Sequence, residues 1–215
     1  VDWSVDNLGI KRKRPTFPFV KMRVFIAIET GKEAKEKILE IQKQFSSFPL
    51  AFAKKEHLHL TLVFLGEVQE EKITEVVQVV ESATKKTPPF DLEFSSLGAF
   101  PNLKLPKVVW VGLGGSLEIL SNLEEKLKAT LAQEGFLLEE EKFVPHITLG
   151  RIKSYTNKQI RRRLGEAIQR FGRIEPVKIA CNAISIFKST PTSAGYVHAL
   201  LEKINLKKHD ENIGY

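Results

Sequence analysis

The chain has 215 residues, with 33 Lys or Arg against 26 Asp or Glu and a formal charge of +7. That balance favours a polyanionic partner such as nucleic acid. One cysteine, Cys181, rules out an internal disulfide framework and a multi-cysteine zinc site, and no apolar run approaches the roughly 20 residues of a membrane helix.

Residues 1–21 differ from the rest of the chain. They lack periodicity, and KRKRPTFPFVK carries a basic run and two prolines. Without an apolar stretch they do not form a secretory signal, so a cytoplasmic protein is expected. The single methionine, Met22, directly precedes the strand-like RVFIAI. The first 21 residues are therefore either an extension foreign to the natural chain or a basic arm for RNA.

From Met22 the elements follow in order. MRVFIAIE predicts a buried strand. GKEAKEKILEIQKQFSSF predicts an amphipathic helix, with Ile38, Ile41 and Phe45 at helical spacing. HLHLTLVFLGEV predicts a strand with Leu58, Leu60, Leu62 and Phe64 on its apolar face. A helix in QEEKITEVVQVVESATKK ends at Pro88 and Pro89. FDLEFSSLGAFP and KVVWVGL are strands around the turn PNLKLP. SLEILSNLEEKLKATLAQEG is a helix with Gly135 as its stop. VPHITLG is a strand, NKQIRRRLGEAIQRF a helix, and EPVKIACNAISIFKS and YVHALLEKINL two closing strands. Residues 207–215 form a polar tail.

Two strands carry the same motif, His-apolar-Thr-Leu, at His59 and at His146. Side chains two apart on a strand share a face, so His59 lies with Thr61 and His146 with Thr148. Thirty-three residues separate His59 from Leu92, and the same number separate His146 from Ile179. This spacing predicts an internal duplication: an α+β fold of two pseudo-symmetric lobes of antiparallel sheet, flanked by helices, around a central cleft. Residues 22–206 make that single bilobal domain.

Two imidazoles flanking one phosphorus can divide the proton transfers, because histidine titrates near neutrality. The threonine hydroxyls can donate to non-bridging phosphate oxygens. No metal or cofactor is needed, and no HExxH-type ligand set is present. A lone strand histidine is ordinarily structural; the matched pair argues otherwise. His57 shares the parity of His59 but lacks a following Thr, and is read as groove rim.

The stretches MRVFIAIE, HLHLTLVFLGEV, GAFPNLKLPKVVWVGL and FVPHITLGR resemble the two-histidine phosphoesterases, specifically the RNA 2′,3′-cyclic phosphodiesterases formerly called 2′-5′ RNA ligases. The resemblance covers roughly Met22 to Leu206. It implies metal-independent hydrolysis of an RNA 2′,3′-cyclic phosphate end, or of a cyclic nucleotide, to a 2′-phosphate. It implies His59 as proton donor, His146 as proton acceptor, and Thr61 and Thr148 as phosphate ligands. Arg151 matches an arginine used near the phosphate, although strict alternation puts it on the face opposite His146 unless a bulge intervenes. Ala51, Phe52 and Lys55 stand where an Arg-Trp pair and a proline are common, and Phe52 is left to stack a base. A monomer is expected. Ligation by the same site, or RNA binding without catalysis, are the alternatives. The run RRRLGEAIQR reads as a solvated basic face that assists phosphate attraction.

Overall fold

A computed structural model describes residues 3–5, 11–13, 20–138, 142–193 and 195–207. Most of the amino-terminal segment and the tail after Lys207 lie outside these. Within the former, β1 (Trp3–Val5) pairs with β2 (Lys11–Lys13). The domain proper runs β3 (Lys21–Glu29), α1 (Lys32–Gln44), β4 (Leu50–Phe52), β5 (His59–Gln69), α2 (Ile73–Thr84), β6 (Phe90–Phe100) and β7 (Val108–Gly115). It continues with α3 (Leu117–Gln133), β8 (His146–Ile152), α4 (Lys158–Phe171), β9 (Lys178–Cys181), β10 (Ala183–Thr192) and β11 (Gly195–Asn205).

Among the described residues, β3 to β11 form one nine-stranded antiparallel sheet. Its order is β11-β10-β3-β5-β8-β7-β6-β9, with β4 added against β8. Apolar residues at helical spacing on all four helices enter the core beneath the sheet, including Ile38, Val80, Leu127 and Leu164. The other face of the sheet is left open around the two motif strands.

The duplication is present. The 87-residue offset between the motifs carries β5, α2 and β6 onto β8, α4 and the β9–β10 pair. The repeat begins earlier than the motif: β3 and α1 precede β5 as β7 and α3 precede β8. Each repeat also lends a strand to the other half. β6, from the first repeat, lies beside β7, and β10, from the second, lies beside β3. The halves meet at β5 and β8, whose register is a single pair, Leu60 with Ile147. They diverge from that point, and the divergence opens a cleft.

Three expectations need correction. Residues 55–57 form a 3₁₀ turn rather than the start of the motif strand, so His57 has no strand parity with His59. EPVKIACNAISIFKS is two strands, broken at Asn182. The three-residue β4 is too short to show a hydrophobic period.

Candidate active site

The Leu60–Ile147 pair sets the geometry of the site. Continuing that antiparallel register one residue each way puts His59 beside Thr148 and Thr61 beside His146. Paired residues of adjacent strands share a face. Both histidines and both threonines therefore project from one surface, with the histidines on a diagonal. Diagonal neighbours stand roughly 7–8 Å apart. Two hydrogen bonds of about 2.8 Å with a phosphoryl group between them fill a gap of that order.

Each imidazole is walled by aromatic rings. His59 stacks on Phe25 at 4.9 Å between centroids and lies 6.1 Å from Phe187. His146 meets Phe100 edge-on at 4.9 Å and Trp110 at 5.9 Å. Gly98 makes the second wall possible: a Cβ there would overlap the Trp110 indole. Burial lowers the pKa of both histidines, because it disfavours the charged ring. For His59, with His198, His57 and Lys35 adding to the effect, the value falls to about 3. His146 is also lowered, burial being the main cause and Arg151 a further one. Both rings are neutral near pH 7.

The Nδ1 of His146 lies 2.7 Å from the Val144 carbonyl oxygen. A carbonyl only accepts, so Nδ1 carries the proton and Nε2 keeps its lone pair. Glu29 is the strand partner of His59. Its carboxylate accepts from Ser185 Oγ at 2.8 Å and Lys203 Nζ at 3.0 Å.

A β-bulge brings Arg151 to this face. Thr148 pairs with Trp110 but Gly150 pairs with Val109, which leaves Leu149 as an extra residue. Leu149 and Gly150 both turn inward, and Arg151 returns to the side of Thr148 and is exposed. The Leu149 carbonyl accepts from Gln42 Nε2 at 2.9 Å and from the Ala53 amide at 2.9 Å. Phe52 does not reach the cleft. It pairs with Gly150, on the inward side, and packs partly buried against the core; Ala51 shares the face of Arg151.

Sequence reasoning missed His198 on β11. Its ring meets His59 edge-on at 5.6 Å and lies 4.4 Å from His57. Among the described residues, no three His, Cys, Asp or Glu side chains converge as a metal ligand set, and no helix is long and apolar enough to cross a membrane.

One curled antiparallel sheet with two His-x-Thr strands abutting at its centre defines a duplicated phosphoesterase-type fold. The family model described as the 2′-5′ RNA ligase superfamily matches residues 31–192, and the chain belongs to that family. A relative from Thermotoga maritima, named RNA 2′,3′-cyclic phosphodiesterase, is 36% identical over 182 residues, or 84% of this chain and 93% of that protein. One of the same name from Methanocaldococcus jannaschii is 33% identical over 184 residues, or 85% and 99%. Among solved structures, TT0787 of Thermus thermophilus is similar with a TM-score of 0.71 at 25% identity, covering 86% of this chain and 98% of that one. Escherichia coli LigT complexed with 3′-AMP has a TM-score of 0.69 at 25% identity, covering 88% and 100%.

Proposed function

We propose that this protein hydrolyses RNA 2′,3′-cyclic phosphate ends to 2′-phosphomonoesters, with His59 and His146 sharing the proton transfers. The observation that carries this reading is the Leu60–Ile147 pair, which sets both His-x-Thr motifs diagonally on one face. The names of the relatives support the substrate class.

In this reaction water attacks phosphorus and gives a proton to Nε2 of His146. The bond from phosphorus to the 3′-oxygen breaks, and His59 protonates that oxygen. The phosphate remains on the 2′-oxygen. The Val144 carbonyl supports the base role, because it holds His146 in the tautomer whose Nε2 can accept. Thr61 and Thr148 donate to the non-bridging oxygens, and Arg151 adds positive charge beside them.

His59 must gain a proton to act as the acid, although burial keeps it neutral in the free protein. The phosphodiester anion offsets that penalty, since an opposite charge nearby favours the imidazolium. One proton is thus taken up with the substrate. The reaction needs no metal in its proton steps.

The test is an oligoribonucleotide with a cyclic-phosphate end, incubated in EDTA and followed by ³¹P NMR. A 2′-phosphate product is expected. Loss of turnover on chelation, restored by zinc or magnesium, would overturn the metal-free mechanism. Binding with no turnover would leave an RNA-binding protein on this fold.

A further inference from the structure

The first repeat carries a bulge of its own at the matching position. Thr61 pairs with Ala27 but Val63 pairs with Ile26, so Leu62 is the extra residue. Leu62 stands 87 residues before Leu149, the same offset that separates the two motifs. Leu62 and Val63 both turn inward, and Phe64 comes out on the face of Thr61. The expected apolar face containing Leu58, Leu60 and Leu62 therefore excludes Phe64. Its ring is 60% exposed. Phe64 is thus the counterpart of Arg151, five residues after its histidine and aimed at the cleft by an equivalent bulge.

An exposed phenylalanine at this point is costly without a partner, since its ring holds apolar area in water. Its ring lies 6.0 Å from that of Phe25, which backs His59. It also lines an open pocket of about 370 Å³, together with Thr61, Phe100, Lys142, Phe143 and His146. Binding sites of this size, mostly apolar with a few polar groups, suit small ligands. This pocket opens onto Thr61 and His146, within one nucleotide of where the phosphate would sit.

We propose that Phe64 is the stacking platform for the base of the terminal nucleoside. The duplicated position thus serves one substrate in two ways: Arg151 meets the anion and Phe64 meets the base. This rests on the phosphoesterase reading above. Stacking on an aromatic face tolerates every base, so the platform confers affinity for a nucleoside without selecting strongly among the four.

The test compares the wild-type protein with Phe64→Ala and Phe64→Trp. Turnover is measured on adenosine 2′,3′-cyclic phosphate and on abasic ribose 2′,3′-cyclic phosphate. Binding is measured separately by calorimetry with adenosine 2′-phosphate and with inorganic phosphate. Phe64→Ala should weaken adenosine 2′-phosphate about 5- to 150-fold, the range found on removing a stacked aromatic. It should raise KM for the cyclic nucleotide, spare kcat, and leave the abasic substrate and phosphate unchanged. Phe64→Trp should restore nucleotide binding. Unchanged adenosine 2′-phosphate binding in Phe64→Ala, or an equal loss for phosphate, would overturn the proposal. If the wild-type protein turns over neither cyclic substrate, the hydrolysis reading fails, and the calorimetry still decides the platform.

Discussion

His59 gives up its water to Phe25 and Phe187, and with that its proton. His57, His146 and His198 are shifted in the same direction, burial being the leading cause for each. Groups whose folded pKa lies below the unfolded value of about 6.5 stabilise the fold fully above that pH. The contribution is lost as pH falls toward the folded values, which for His59 is about 3. Urea unfolding at pH 7 and at pH 4.5 should therefore show a smaller acid loss for His59→Asn than for the wild-type chain. The carboxylates titrate in both proteins, so the difference between them isolates the imidazole. An equal loss would show that His59 is solvated. The histidine motifs themselves were legible because a strand's period of two is strict within His-x-Thr. Arg151 and Phe64 were not, because their faces depend on where a neighbouring strand leaves one residue unpaired. The unbroken apolar run Leu62–Val63–Phe64–Leu65 was the available signal, since it interrupts alternation. Matching the repeats residue by residue would also have set Phe64 against Arg151. Gln42 read as one polar position on a helix; only the fold reveals that it satisfies the Leu149 carbonyl at the bulge.

The elements that frame the site are held by close backbone contacts as well as by their apolar faces. Helix α4 begins at Asn157, whose side chain accepts from the Ile160 amide at 2.9 Å. It ends at Gly172, in the left-handed region at φ 74°. In its middle Gly165 lets the helix lie directly against the 102–105 loop. A Cβ there would overlap the backbone carbonyl oxygen of Leu103. On an isolated helix Gly165→Ala would be favourable by about 1 kcal/mol. Here the obstructing atom belongs to the backbone and cannot rotate away, and overpacking of this kind costs about 1–3 kcal/mol. The variant should be less stable by chemical denaturation, and a gain in stability would show that the loop yields. Helix positions were legible for this reason: their cores follow a sustained 3.6-residue period. The turn at residues 55–57 was read as strand because His57 and His59 happen to keep parity.

At the scale of the whole molecule, duplication with exchange of β6 and β10 turns two repeats into one sheet. The sequence showed the repeat through the motifs and their common spacing. It did not show the exchanged strands, because strand order depends on long-range pairing that a local pattern does not encode. The consequence is that the two histidines, 87 residues apart in the chain, act on one phosphorus from adjacent strands. A coupled acid–base pair is non-additive: once one half is missing, the other has little left to contribute. The most direct test is the turnover of a cyclic-phosphate RNA end by His59→Ala, His146→Ala and the double variant, each shown to be folded by circular dichroism. Each single change should cost about 10²–10⁴ in kcat, and the double variant should lose far less than the product of the two. Near-wild-type turnover by either folded single variant, under saturating substrate and with chemistry rate-limiting, would contradict the paired mechanism.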